Sequence, residues 1–98
     1  MNTLNNDGIK AIIDEVVRAV AGTVTDVIRR SDDEVVVVWW RSYRREGDDV
    51  PRAEWATHTA GINPDSGPVL IQGHYGLLSH AEAFKDAHAR AGWTALAS

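Results

Sequence analysis

Apolar residues follow a helical period in the first third of the chain. From Ile9 to Ile28 they recur at steps of three and four residues, which is the spacing of one helical face. With Asp7 as a candidate N-cap, this pattern predicts a helix that runs to about Arg30. If the helix ends at Gly22 instead, Thr23 to Arg29 becomes an additional strand. The alternation in that segment is irregular, so we favour the long helix.

The most apolar stretch is Glu34 to Arg45, EVVVVWWRSYRR, which is rich in β-branched and aromatic residues and contains no glycine or proline. It predicts a central strand. Alternation places Val35, Val37 and Trp39 on one face and Val36, Val38 and Trp40 on the other. Because both faces are apolar, both need a cover. The second cover is another layer of the same chain, a second copy in a homodimer built on the central strand, or a partner protein.

The remaining segments complete a small sheet and a second helix. Ala53 to Ile62 and Val69 to Tyr75 are extended by composition, and Asn63 to Gly67 has the residues of a tight turn between them. Ser79 to Glu82 is a capping box that opens a helix, and Gly92 is its expected end. The predicted inner face of this helix is Ala81, Phe84, Ala87, His88 and Ala91.

These elements predict one α+β domain over residues 1–98, with a three-stranded antiparallel meander flanked by an N-terminal and a C-terminal helix. A chain of this length is a usual size for one domain. It has no cysteine, which excludes disulfides and thiolate metal sites, and no membrane-spanning or signal-like run. We expect a cytoplasmic protein that does not engage membranes and has no cofactor.

Candidate catalytic and metal-binding residues are few. Asp32-Asp33 and Asp48-Asp49 flank a strand of about a dozen residues, so we expect them at opposite ends of the sheet. His80 and His88 share a helical face but lie about 12 Å apart, which leaves His74 with His80 as the better pair. No catalytic motif surrounds any serine or histidine. The sequence therefore predicts neither an enzyme nor a metal site, and His58 is expected to be a half-buried residue whose hydrogen bonds are satisfied.

One end of the predicted meander collects basic and aromatic residues. We expect a rim there with the N-terminus of the second helix, and we expect Trp39 or Trp40 to join it as an aromatic contact. The predicted partner-binding residues are Trp39, Trp40, Arg41, Tyr43, Arg44, Arg45, Arg52, His74 and Tyr75. Such a surface suits an acidic protein or a phosphate backbone, whereas the opposite end is acidic at Asp32, Asp33, Glu34 and Asp65.

The order helix, three strands, helix, ending in Gly73-His74-Tyr75-Gly76 and Ser79-His80-Ala81-Glu82-Ala83-Phe84-Lys85, resembles a double-stranded-RNA-binding domain. In that family a serine-lysine-lysine helix start grips phosphates. Ser79 matches, His80 and Ala81 occupy the lysine positions, and Lys85 is the nearby lysine. The chain is also similar in type to small phage and mobile-element proteins, including anti-CRISPR inhibitors, which occupy a partner's surface.

The hypothesis we favour is a non-catalytic protein-binding module, acting as a phage or mobile-element inhibitor of a host system. One alternative is a nucleic-acid-binding domain that uses the arginines between Arg41 and Arg52 on phosphates. The net charge of −4 disfavours affinity that comes from covering many phosphates. A second alternative is a small histidine-dependent enzyme or metal site around His74 and His80.

Overall fold

A computed structural model describes residues 5–92 and shows two helices and one antiparallel sheet, which confirms the α+β class. Its strands follow one another in the sheet in the order β1-β2-β3-β4. There are therefore four strands in the meander and not three. The elements are α1 (Asn6–Val20), β1 (Thr23–Arg29), β2 (Glu34–Tyr43), β3 (Arg52–Asn63), β4 (Gly67–Leu77) and α2 (His80–Arg90).

The additional strand is the segment that we expected to continue the first helix, so the prediction of a helix to Arg30 was wrong. The helix ends at Val20 because Ala21 turns into the left-handed conformation, with φ 54°. Gly22 then passes so close to β2 that a Cβ atom would lie 2.6 Å from the carbonyl oxygen of Trp40. Only glycine fits this approach. The N-cap is also two residues earlier than predicted: Asn5, not Asp7, accepts a hydrogen bond from the Gly8 amide.

A β-bulge explains why β1 has the periodicity of a helix. The register shifts between Val24 and Asp26, so Thr25 is an extra residue relative to β2. The shift places Val24 and Val27, three positions apart, in the same hydrophobic cluster, while Ile28 packs on the other side of the sheet. The bulge in β1 therefore produces a three-residue spacing of apolar side chains on one face of a strand.

Each face of the central strand is covered by one helix. On the α1 face, Val35, Val37 and Trp39 are fully buried against Ile12 and Val16. On the α2 face, Val36 and Val38 are fully buried against Ala83 and Ala87. The second apolar face therefore meets another layer of the same chain. At Val36 and Val38 it is not open to the homodimer that we considered.

The face that α2 turns toward the sheet agrees with the predicted one only in part. Ala83, Ala87 and Ala91 form the buried stripe, which confirms Ala87 and Ala91, whereas Ala81 and Phe84 are exposed. Alanines four residues apart let the helix backbone approach the sheet closely. Ser79 is the N-cap, as predicted, and accepts from the Glu82 amide.

Two further predictions concern the turn between the last strands and the ends of the chain. Asn63 accepts hydrogen bonds from the amides of Asp65 and Ser66, which confirms the predicted turn. The expected contact of Trp93 with the end of α2 lies outside the described residues.

Within residues 5–92, no helix is both long and apolar enough to cross a membrane.

Candidate functional site

The hairpin of β2 and β3 extends past the rest of the sheet. Trp40 on β2 lies opposite Trp55 on β3, and this is the last residue pair of the hairpin that has a strand on each side. β1 begins opposite Trp40, and β4 ends opposite Trp55. Beyond these two residues only β2 and β3 pair with each other, and a loop joins them. We call residues Arg41–Glu54 the ribbon. Both of its edges are free of other strands of the described sheet, and at its base Arg41 donates to the carbonyl oxygen of Val20 in α1.

Carboxylates within the ribbon hold most of its arginines. Arg41 pairs with Glu54 at 2.9 Å, directly across the two strands. Arg52 donates to both oxygens of Asp48, and Arg45 lies 3.5 Å from the same carboxylate. Hydrogen bonds from these two arginines hold the pKa of Asp48 below its ordinary range.

Arg44 differs from the other arginines of the ribbon. Among the described residues it makes no ion pair, and it is exposed. Tyr43, the residue before it, is partly buried and pairs with Arg52 across the strands. The arginines and the tyrosine predicted for the rim are thus brought together.

The structure does not bring His74 and Tyr75 into this group. His74 lies opposite Thr57, in the middle of β3, and contacts α2. Tyr75 lies on the α1 face and contacts His58. As consecutive strand residues they point to opposite faces, so the rim predicted from sequence is the ribbon alone.

The two tryptophans of β2 have different surroundings. Trp39 is fully buried under α1, so it cannot supply the predicted surface contact. Trp40 is partly exposed at the base of the ribbon and begins a series of ring contacts with centroid separations of 6.1, 5.3 and 5.7 Å. We call this series the aromatic row; its members are Trp40, Trp55, His80 and Phe84.

On the α1 face, three side chains form a hydrogen-bond chain across β2, β3 and β4. The indole nitrogen of Trp39 donates to Nδ1 of His58 at 2.9 Å, and Nε2 of His58 lies 2.7 Å from the hydroxyl oxygen of Tyr75. An indole nitrogen can only donate, so Nδ1 accepts and the neutral ring carries its proton on Nε2. Burial lowers the pKa of His58, which favours this neutral form. The hydrogen bonds of His58 are therefore satisfied, as predicted, but the residue is buried rather than half-buried.

On the α2 face, Asp86 gathers three donors. Thr57 and Arg90 donate to one of its oxygens and Nδ1 of His74 contacts the other, each at 2.8 Å. Burial alone would raise the pKa of Asp86, but these hydrogen bonds outweigh it and hold the pKa below its ordinary range. The carboxylate of Asp86 fixes the orientation of the His74 ring. In enzymes that use a histidine as a base, an acidic side chain often orients the ring in this way.

The other predicted pair, His74 with His80, is not formed as a joint site. Nε2 of His80 contacts Asp26 at 2.6 Å, while His74 contacts Asp86. Burial would raise the pKa of Asp26, but hydrogen bonds from His80 and Thr25 outweigh it and lower the pKa. In the part of the chain that the structure describes, no three histidine or acidic side chains are grouped as a metal would require.

The end of the sheet opposite the ribbon carries a shallow groove of about 240 Å³. Its polar lining includes Asp33, Glu34 and Asn63, and its apolar lining includes Ile71 and Val69. Glu34 is paired with Arg30. Asp32-Asp33 and Asp48-Asp49 are therefore at opposite ends of the sheet, as predicted.

Sequence reasoning missed the residues that organise these networks. Asp86 has no special neighbour in sequence, because its partners come from β3 and β4. Asp48 is predicted only as half of the acidic pair Asp48-Asp49 at one end of the central strand. A signal for it was available: Arg45 and Arg52 lie three residues before and four after it, within reach of one carboxylate.

Comparison with known proteins finds no family model, no curated protein and no solved structure that matches this chain.

Proposed function

We propose that the chain is a non-catalytic protein-binding module whose contact surface is the ribbon together with the aromatic row at its base. One observation carries the proposal: from Arg41 to Glu54 the hairpin extends beyond both neighbouring strands. A partner can therefore reach both of its edges. The fully apolar faces of the sheet, by contrast, are already covered by α1 and α2.

The chemistry of this surface supports a protein partner. Arginine and aromatic residues are enriched at protein interfaces and dominate their hot spots. Arg41, Arg45 and Arg52 are held by carboxylates, so ordering them on binding requires little further loss of freedom. Arg44 makes no ion pair within the described residues and would meet a carboxylate of the partner.

The charge balance of the ribbon favours a protein over a nucleic acid. Its four arginines stand against four carboxylates, Glu46, Asp48, Asp49 and Glu54. A surface that binds a phosphate backbone draws its affinity from an excess of cations, which release counterions from the nucleic acid. A balanced surface with exposed aromatic rings fits the mixed polarity of a protein.

The finer proposal is that the module is a phage or mobile-element inhibitor that occupies a functional surface of a host protein, in the manner of anti-CRISPR proteins. Its support is a likeness of type: a short, acidic, cysteine-free α+β chain. Inhibition by occupancy requires a projecting element and no catalytic group, and the ribbon is such an element.

The test is affinity capture from the cells that encode the protein, with three tagged forms. Arg44→Glu changes the ribbon without breaking an ion pair seen in residues 5–92. Lys10→Glu is the matched control, because Lys10 is an exposed cation on α1, outside the ribbon, that also makes no ion pair among the described residues, and the charge change is the same. We expect one companion that the wild type and Lys10→Glu retain and that Arg44→Glu loses.

Recovery of the same proteins by all three forms would contradict the ribbon as the contact surface. A gel-shift titration with duplex RNA, duplex DNA and single strands tests the nucleic-acid alternative with the same forms. Binding that falls steeply with salt and is lost in Arg44→Glu would replace the protein-binding proposal by that alternative.

A second candidate function, a histidine-dependent reaction, is favoured by the orientation of His74 through Asp86. Hydrolysis of p-nitrophenyl esters by the wild type, His74→Ala and His80→Ala tests it. This candidate predicts turnover that only His74→Ala loses. Equal rates in the three proteins, with unchanged metal content, would remove it.

A further inference from the structure

The hydrogen-bond chain on the α1 face joins the core of the sheet to its edge. Trp39 on β2 is 0% exposed, His58 on β3 is 5% exposed, and Tyr75 on the edge strand β4 is 51% exposed. His58 stacks on Trp39 with ring centroids 5.8 Å apart and an angle of 15° between the rings. One imidazole therefore links a fully enclosed indole to a phenol at the surface.

The chemistry of Trp39 fixes the direction of this chain. Because the indole nitrogen has a proton and no lone pair to offer, Nδ1 of His58 must be unprotonated to accept from it. A protonated imidazole carries hydrogen on both nitrogens. The Nδ1 hydrogen would then face the indole hydrogen, at an atom separation that suits only a donor and an acceptor.

The backbone is arranged to admit this contact. Gly73 lies directly opposite His58 on β4, and a Cβ atom there would lie 2.6 Å from Nε2 of His58 and 2.7 Å from the hydroxyl oxygen of Tyr75. Any side chain at this position would separate the imidazole from the phenol. The glycine thus leaves room for a hydrogen bond between neighbouring strands.

The electrostatic surroundings of His58 are sparse. Among residues 5–92, the charged or titratable groups that contact the chain are the phenol of Tyr75 and, beyond Trp39, the guanidinium of Arg41, which lies 5.7 Å from the indole centroid and is itself paired with Glu54. The residues of α1 that pack in this cluster, Ile12, Val16 and Val20, are apolar. The groups that touch the hydrogen-bond chain within the described residues therefore include no carboxylate, which is the group that would favour an imidazolium.

We propose that His58 is a proton-operated latch, which holds the edge strand β4 against the core when the imidazole is neutral and releases it when the imidazole is protonated. Protonation removes the acceptor of a buried indole and leaves two donors face to face. The ring must turn away from Trp39, and the contact with Tyr75 moves with it. Burial, which disfavours the charged ring, sets the pH at which this occurs below that of an exposed histidine. This inference does not rest on the proposed function.

The experiment is nuclear magnetic resonance on the purified full chain labelled with ¹⁵N, as the pH is lowered from neutral. At neutral pH we expect His58 with hydrogen on Nε2 alone. Below its transition we expect the Trp39 indole resonance to shift and amide exchange in β4 to rise by about tenfold relative to β1, the opposite edge strand. A His58 that carries hydrogen on Nδ1 at neutral pH would overturn the proposal, and so would an equal rise in β1 and β4.

His58→Gln is the decisive variant. The glutamine amide offers one acceptor atom and one donor atom, as the neutral ring does, but does not titrate in this range. We expect it to keep the neutral exchange pattern and to lose the acid-induced rise in β4. Retention of the rise in His58→Gln would assign it to another group and overturn the latch. Should that variant not fold, Trp39→Phe, which removes the opposing donor, is expected to move the His58 transition to higher pH; an unmoved transition would also overturn it.

Discussion

The two helices cover the two faces of one sheet in different ways. α1 presents large branched side chains, Ile12 and Val16, which pack on valines and on a fully buried tryptophan. α2 presents a stripe of alanines, and the polar side chain of Asp86 ties it to β3 and β4. Burial of apolar area therefore holds α1, whereas close approach combined with directed hydrogen bonds holds α2.

This difference shows how both sides of a small sheet can be closed with few large residues. A helix whose apolar stripe is only alanine buries little area, so its attachment needs another source of stability. Charge-assisted hydrogen bonds at its border supply this and also fix the position of the helix along the strands. We expect the α1 face to respond mainly to the loss of volume and the α2 face mainly to the loss of hydrogen bonds.

The largest effect is expected on the α1 face. Ile12→Ala removes a fully buried side chain and leaves a cavity, and should lower the free energy of unfolding by about 2–5 kcal/mol in a urea titration. The matched change on the other helix, Ala87→Gly, should lower it by about 1 kcal/mol. Val17→Ala, at a position 40% exposed, is the control and should remain within about 0.5 kcal/mol of the wild type. Equal losses for Ile12→Ala and Ala87→Gly would show that the two faces do not differ in this respect.

The second effect concerns the hydrogen bonds of the α2 face. Asp86→Ala should cost about 1–3 kcal/mol, because it leaves the hydroxyl of the buried Thr57 without a partner. In a Thr57→Val background the same change should cost less, since the orphaned donor is gone. A double-mutant cycle of unfolding free energies measures this coupling. Strictly additive losses would mean that the threonine does not anchor the helix through Asp86.

A smaller effect is expected at the start of α2. Ser79→Ala removes the acceptor for the Glu82 amide and should cost about 1 kcal/mol in thermal unfolding. Lys85→Ala, at an exposed position of the same helix, is the control and should be nearly neutral. If both changes had the same effect, the cap would contribute nothing beyond helix propensity.

The smallest effect is expected in how the free energy of unfolding depends on pH. The α1 face and the α2 face should lose stability in different pH ranges. The pKa of His58 is lowered in the folded state, so the unfolded chain takes up a proton first and stability should fall as the pH drops below about 6.5. The pKa of Asp86 is also lowered, so its contribution is complete above 3.8 and is lost below that value. Unfolding free energies measured across this range test the order. In His58→Gln we expect the slope just below pH 6.5 to decrease, and an unchanged slope would contradict this assignment.

The strands that could be predicted are those whose local pattern agrees with their tertiary role. β2, β3 and the turn at Asn63 were found because composition, alternation and turn residues all indicate the same structure. β1 was predicted only as the less favoured alternative, because its bulge produces a helical spacing and because the close approach of Gly22 to Trp40 is visible only once β2 is placed beside it. Local periodicity and long-range packing conflict there, and packing prevails.

The candidate site was predictable to a similar extent. The arginines of the ribbon are close in sequence, so predicting the hairpin of β2 and β3 was enough to predict that they lie together. His74 and Tyr75 were predicted to lie at the same end of the sheet as these arginines. However, β4 ends opposite Trp55 and does not extend alongside the part of the hairpin that carries the arginines. The length and register of a strand depend on its partner, and these are not encoded in the strand's own residues.

The sheet is a simple meander, in which every strand pairs with its neighbours along the chain. Each pairing can form by zipping from a short connection, without waiting for distant segments to meet. Proteins with such local topology have low contact order and fold rapidly among β-containing domains. A newly made chain would therefore expose its valine-rich centre to other chains only briefly.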